Sequence, residues 1–184
     1  MGRPFRSQLA LVFVLSLSAL GCGSEDDAVT DAELERLARA SGPPLYYAGR
    51  SFAGRRLTHA ESEGGGRALF VYGSCEIDDP DGILGPEGGS CSPPIQIQVF
   101  PFDPQQWSLA AGCYRRSPLR GVPTVHHDGL VLFTARTVVK IYGRGPVEDG
   151  RVAGALRSLD GSIGPRESLP PPDFDVDTAL VRCQ

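Results

Sequence analysis

The sequence lacks a hydrophobic run long enough for a stable membrane span. Its longest apolar stretch, Leu9–Leu20, holds twelve apolar or small residues, which as a helix would extend about 18 Å. The hydrocarbon core of a bilayer is about 30 Å thick. Arg3 and Arg6 precede the stretch, and small residues surround Cys22 after it. This order of positive, apolar and small residues predicts a secretory signal in residues 1–21, so we expect the domain to lie outside the cytoplasm.

The sequence also lacks the motifs of common catalytic sites. It contains neither G-x-S-x-G nor H-E-x-x-H, and it has three histidines, His59, His126 and His127. The last two are neighbours, which on a strand point to opposite faces and cannot easily share one metal ion. Ser74 and Ser90 have no identifiable base, and nucleophilic catalysis needs one within hydrogen-bond reach. We therefore predict that the protein is not an enzyme and uses no metal or cofactor.

Basic residues are outnumbered by acidic ones. The chain has 18 Lys and Arg against 22 Asp and Glu, for a formal net charge of −4 at pH 7. Nucleic-acid binding depends on basic patches, so we predict no nucleic-acid partner. Without residues 1–21 the chain keeps 163 residues, and the loss of Arg3 and Arg6 brings the net charge to −6. That length fits one domain with a buried core.

The end of the apolar run carries a cysteine in a distinctive setting. The segment Ala19-Leu20-Gly21-Cys22 resembles the lipobox of bacterial lipoproteins, where diacylglycerol is added to the cysteine and the peptide is cut before it. Gly21 matches this pattern, and Leu17 and Leu20 keep the region apolar, whereas Ala19 stands where the family prefers leucine. The resemblance implies that Cys22 is lipidated and anchors the mature chain to the cell membrane or outer membrane, since two or more acyl chains hold a membrane stably. The alternative is an ordinary signal peptide that leaves Cys22 as a thiol.

The number of cysteines is odd, which leaves one to explain in an exported protein. If Cys22 is lipidated, four remain for two disulfides in an oxidising compartment, and three connectivities are open to them. Fifteen residues separate Cys75 from Cys91 in a loop rich in Gly, Pro and Asp, and closing such a loop is worth about 3 kcal/mol. We predict the pairs Cys75–Cys91 and Cys113–Cys183. Zinc would require tighter spacings.

The loop between Cys75 and Cys91 is acidic. Clustered carboxylates are ligands for Ca²⁺, but an EF-hand register with Gly82 at its sixth place would put Ile77 and Gly88 at ligand positions. We expect the acidic side chains to be solvated, with cation binding as the alternative. They are Glu76, Asp78, Asp79, Asp81 and Glu87.

Two helices are predicted at opposite ends of the body. Thr30 and Glu33 form a capping box that begins a short helix, and Gly42 with two prolines ends it. This helix could pack on the domain or act as a spacer from the membrane. Residues 149–159 read as a second helix, because Val152, Leu156 and Leu159 share one face.

Between these helices the sequence favours strands. The predicted strands cover residues 45–49, 56–60, 68–72, 95–100 and 137–142. The Asp128-Gly129 pair between apolar stretches predicts a hairpin with a type I′ turn. We therefore expect an α+β fold, with a mostly antiparallel sheet, a helix of the C-terminal half packed on one face and a short N-terminal helix. Residues 22–44 form a tether and the short helix, and residues 45–184 form a single domain.

The body resembles, through scattered segments, uncharacterised lipoproteins of high-GC bacteria. The segments are residues 45–49, the loop from Tyr72 to Pro94, and residues 137–143. This resemblance implies no activity and no functional residues. We expect a membrane-anchored, extracytoplasmic lipoprotein with a non-catalytic interaction role and an envelope protein as partner. The alternative is a module that binds a small ligand or peptide in a pocket between the sheet and the Val152–Leu159 helix. A deep pocket would favour the module, and a flat face with an exposed apolar patch would favour the interaction role.

Overall fold

The protein has the predicted α+β fold, built on one antiparallel sheet of eight strands. The computed structural model describes residues 28–40, 42–73, 76–77, 91–92, 95–103, 117–126 and 128–176. The strands in chain order are β1 (Tyr46–Tyr47), β2 (Ser51–Phe52), β3 (Arg55–Gly64), β4 (Arg67–Tyr72), β5 (Glu76–Ile77), β6 (Cys91–Ser92), β7 (Ile95–Pro101), β8 (Ser117–Leu119), β9 (Val122–His126), β10 (Leu130–Thr134), β11 (Thr137–Tyr142) and β12 (Arg157–Ser158).

The large sheet has the strand order β2-β3-β4-β7-β11-β10-β9-β8. All of its neighbouring strands are antiparallel. Two further ladders stand apart from it, one between β1 and β12 and the other between β5 and β6. At the centre of the sheet β7 pairs with β11, although the two strands are far apart in the sequence. The sheet therefore joins the first and second halves of the chain.

The first helix, α1 (Asp31–Ala40), begins with the predicted capping box. The Glu33 carboxylate accepts a hydrogen bond from the Thr30 backbone N–H at 2.7 Å, and the Thr30 hydroxyl accepts one from the Glu33 N–H at 3.3 Å. Leu34 and Leu37 are buried in the core of the sheet. Of the two roles considered for this helix, packing on the domain is the one that the structure shows.

The second helix, α2 (Pro146–Ala155), differs in its limits from the predicted helix of residues 149–159. It begins earlier because Pro146 occupies the first turn, where the missing N–H costs nothing. It ends earlier because Leu156 has an extended conformation and β12 then pairs with β1. The predicted three-residue face is therefore wrong as a helical stripe, although Leu156 is fully buried.

Side chains cover the sheet on both faces around its centre. We call the larger cluster the first core; it contains Val139, Ile141 and Leu156, and both helices contribute to it. The predicted packing of these three residues together is confirmed. The smaller cluster, the second core, lies on the opposite face and contains Val125, Val131, Phe133, Val138 and Val176. Consecutive residues of β10 alternate between the two cores, so all five residues of that strand are buried.

Lys140 lies on the predicted face, opposite that of Val139 and Ile141. It is half-buried rather than fully solvated, and its Nζ lies 4.6 Å from the centre of the Tyr142 ring. The pairing of Val131 with Lys140 brings a second-core residue beside it. The face that carries Lys140 is therefore partly covered.

The predicted hairpin connects β9 and β10, but its turn is longer than a two-residue type I′ turn. His126 pairs with Leu130, so the connection spans residues 127–129. This register also places Val125 opposite Val131, two residues of the second core, and burial fixes the register of a strand. Asp128 and Gly129 both have positive φ, at 46° and 119°.

Neither helix among the described residues is long and apolar enough to cross a bilayer.

Candidate ligand-binding site

A cavity of about 330 Å³ lies at one end of the sheet, where the β9–β10 connection, the end of β11 and the start of α2 meet. We call it the Asp149 cavity. Its lining residues are His126, Asp128, Gly129, Tyr142, Gly143, Gly145, Pro146 and Asp149.

Glycines open this end of the sheet. A Cβ on Gly129 would collide with the carbonyl oxygen of Ile141, and the φ of 119° is one that side chains rarely allow. A Cβ on Gly143 would come within 2.6 Å of Asp149 Oδ1. Gly145 then has a φ of 118° and precedes Pro146, the first residue of α2. The chain can therefore turn from β11 into the helix and bring the Asp149 carboxylate close to the backbone.

Asp149 is the most unusual residue of the cavity. Its exposed fraction is 3%, and its Oδ1 has no hydrogen-bond partner among the described residues. Its backbone N–H donates to the Gly145 carbonyl at 3.0 Å, an ordinary bond of the first helical turn. A buried carboxylate oxygen without a partner costs stability, so its retention marks a candidate functional group.

Burial raises the pKa of Asp149 above its ordinary value. The Gly143 N–H and the charge of His126 act in the opposite direction, and Glu148 acts with burial. The protein therefore stabilises this carboxylate less than water would.

The adjacent carboxylate, Glu148, has a different environment. It forms an ion pair with Arg55 at 2.8 Å and accepts a hydrogen bond from the Arg144 N–H at 2.7 Å. Although burial alone would raise the pKa of Glu148, these contacts hold it below its ordinary value. The two neighbouring carboxylates of this helical turn thus differ in their partners. Glu148 is paired with Arg55, whereas Asp149 Oδ1 has no hydrogen-bond partner among the described residues.

The described lining residues are suited to bind a ligand group that donates hydrogen bonds. Two carboxylates line it, Asp128 and Asp149, together with one imidazole and one phenol, while no lysine or arginine does. It also contains no serine, threonine or cysteine, the common nucleophiles. Across the described residues, no three His, Cys, Asp or Glu side chains form a metal-binding group. The arrangement can accept hydrogen bonds or hold a positive charge.

A second cavity, of about 540 Å³, lies beside the second core. The rings of Phe102 and Phe174 stack there with centres 3.6 Å apart. Its charged side chains, Arg136 and Asp173, form an ion pair with each other at 3.4 Å. This cavity is larger than the Asp149 cavity, but its charges already have partners.

Most of the predicted site residues lie outside the described residues. This holds for Cys22, Cys75, Cys113 and Cys183, and for the acidic residues 78–87. The backbone of Cys91 lies in β6, opposite Ile77 of β5. This pairing joins the two ends of the acidic loop, and the disulfides and the lipid at Cys22 stay predictions.

The histidines fall in different places. His59 Nε2 lies 3.2 Å from Glu61 Oε2 on the exposed side of β3, and His127 lies outside the described residues. His126 is exposed beside the turn, as the sequence suggested, and it also lines the Asp149 cavity. Sequence reasoning missed Asp149 because it was read as the start of a helix. The signal was Pro146 after a Gly-rich segment, which starts α2 earlier and leaves Asp149 at the end of the first turn, against Gly143.

Comparison of the chain with models of protein families, with curated proteins and with solved structures finds no significant match.

Proposed function

We propose that the protein is a membrane-anchored lipoprotein of the cell envelope, exported and attached through Cys22, with a non-catalytic interaction role. The lipobox-like segment up to Cys22 and the apolar run before it support this proposal. The partner would be another component of the envelope.

The observation that supports the proposal is where the first described residues are attached to the sheet. Val29 is buried, and its N–H donates to the Leu57 carbonyl of β3 at 3.2 Å. Arg50 donates to the Val29 carbonyl and also forms an ion pair with Asp31. The chain is thus fixed to the sheet seven residues after Cys22, and seven residues span at most about 25 Å. A lipid on Cys22 would therefore hold the domain close to the membrane surface.

Fractionation of cells that carry a Cys22→Ser variant tests the anchor. Loss of the protein from the membrane fraction, or failure to remove the signal, is the expected result.

The Asp149 cavity favours a second candidate, a module that binds a small ligand. Its volume falls at the lower end of the range for ligand pockets, about 300–1,000 Å³. In addition, the buried Oδ1 of Asp149 has no hydrogen-bond donor among the described residues. The body of α2 leaves less room, because Val152 and Ala153 are fully buried against the sheet. The expected sheet–helix pocket would then lie at the N-terminal end of α2. A perturbation of the Gly143 backbone amide by added ligand in NMR spectra tests this candidate.

A further inference from the structure

We propose that the Asp149 cavity binds its ligand through a positively charged nitrogen group, an ammonium or a guanidinium, with Asp149 as the acceptor. This inference rests on the ligand-binding function proposed for the same cavity. It narrows the ligand to one chemical class.

The charge of the lining gives the first argument. Asp149 is buried with Oδ1 unpartnered, and no lysine or arginine stands among the described lining residues. Arg55 forms its ion pair with the neighbouring carboxylate, Glu148. A buried carboxylate oxygen without a donor is costly, and an entering cation would supply the missing donor and add to the positive charge of His126.

The backbone at the start of α2 argues against an anion. The free N–H groups of a helix N-terminus commonly bind phosphate or carboxylate ligands. Here the Arg144 N–H donates to Glu148 and the Asp149 N–H to the Gly145 carbonyl, while the Gly143 N–H acts on Asp149. Two carboxylates of the chain therefore already lie against the backbone N–H groups that precede α2, where they would repel an anionic ligand.

Tyr142 gives the cavity an aromatic wall suited to a cation. The Lys140 ammonium of the chain itself already lies 4.6 Å from the centre of this ring, so an entering cation would bind beside Asp149 and contact the ring only where Lys140 leaves it uncovered. Aromatic rings attract cations through their quadrupole. A carboxylate beside an aromatic ring recognises an ammonium or guanidinium better than a neutral group of the same size.

Three small molecules with the same four-carbon chain test which ligand class the cavity binds. They are butylammonium, which is positively charged, butanol, which is neutral, and butyrate, which is negatively charged. The purified exported chain, isotope-labelled and in a nonionic detergent, is titrated with each while backbone amide shifts are followed by NMR. We expect butylammonium alone to shift the amides of Gly143 and Gly129, with a millimolar dissociation constant. In Asp149→Asn this constant should rise by about tenfold or more, because a hydrogen bond to a charged group is worth about 1.5–3 kcal/mol.

Glu63→Gln is the matched control. It removes one carboxylate from β3, outside the Asp149 cavity, and should leave butylammonium binding unchanged. Equal weakening in both variants would mean that net charge alone attracts the amine, and would overturn the proposal.

A second measurement keeps the test decisive if Asp149→Asn does not fold. In the wild-type chain, nuclear Overhauser effects should connect the butylammonium methylenes with the Tyr142 ring protons. If butanol or butyrate gives these contacts and butylammonium does not, the ligand class is wrong while the cavity still binds ligands. If none of the three reaches Tyr142 or shifts Gly143, the ligand-binding function falls as well.

Discussion

Asp149 and Gly143 are in such close contact that a single methyl group at position 143 would come within 2.6 Å of the carboxylate oxygen Oδ1. The carboxylate is buried and cannot swing freely into solvent. The glycine is therefore a requirement of this position of Asp149, and the pair defines the inner wall of the cavity.

Gly143→Ala should destabilise the protein by about 1–3 kcal/mol, the usual cost of overpacking a filled interior. Gly150→Ala in α2 is the control, because a Cβ there meets nothing within 4 Å. Replacing a helical glycine by alanine should stabilise by about 0.5–1 kcal/mol. Urea denaturation of both variants measures the contrast. Equal stability of the Gly143 variant and the wild type would show that Asp149 moves aside without cost.

Asp149→Asn should raise the free energy of unfolding at pH 7. The pKa of Asp149 is raised in the folded state, so the folded chain binds this proton more readily than the unfolded chain. The stabilising contribution of the protonated form is fully present below the unfolded pKa, about 3.8, and is lost as the pH rises through the folded value. The advantage of the asparagine variant should therefore grow from near zero at acid pH to a plateau.

Urea denaturation between pH 3 and pH 7 measures this difference. Glu63→Gln, which removes an exposed carboxylate from β3, is the matched control. An Asp149→Asn variant that is less stable at every pH would mean that the carboxylate stabilises the fold.

Ile141→Ala should cost about 2–5 kcal/mol, because Ile141 is fully buried in the first core. Lys140→Ala should cost no more than about 1 kcal/mol, the worth of its contact with the Tyr142 ring. Chemical denaturation of the two variants compares the faces of β11 directly. A larger loss for Lys140→Ala would reverse the assignment of the faces.

Cys22→Ser should release the protein from the membrane fraction or leave it uncut with its signal attached. The reason is that the thioether to the lipid requires the cysteine sulfur. Cell fractionation and the mass of the exported chain measure the outcome. A Ser24→Ala variant is the control and should fractionate like the wild type. If the Cys22 variant is processed and fractionates normally, the anchor lies elsewhere.

Local sequence signals predicted the parts of the fold that depend on neighbours in the chain. The capping box of Thr30 and Glu33 begins α1, and the apolar run of β11 has the predicted limits. Leu156 shows where this reasoning stops. Its spacing continued a helical stripe, but the pairing of β12 with β1, more than 100 residues away in the chain, holds it extended.

The candidate site could not be predicted for a similar reason. The burial of Asp149 depends on how the end of β11 and the β9–β10 connection meet the first turn of α2. In the sequence, Asp149 is an ordinary aspartate before a glycine. No local sequence pattern predicts that its side chain is buried or that its Oδ1 lacks a hydrogen-bond partner. The only local signals of the site were the glycines before α2 and Pro146 at its start.

The attachment of Val29 to β3 also has a mechanical consequence. If a lipid holds Cys22, the first contacts that a pull on the domain meets among the described residues are the Val29–Leu57 hydrogen bond and the contacts of Arg50. If these contacts broke, α1 would come away from the sheet before the force reached the central strands. Leu34 and Leu37 would then be exposed to solvent. Ten helical residues measure about 15 Å and stretch to about 35 Å. The helix would then act as an extensible spring, letting the domain move farther from the membrane under load while the sheet stays intact.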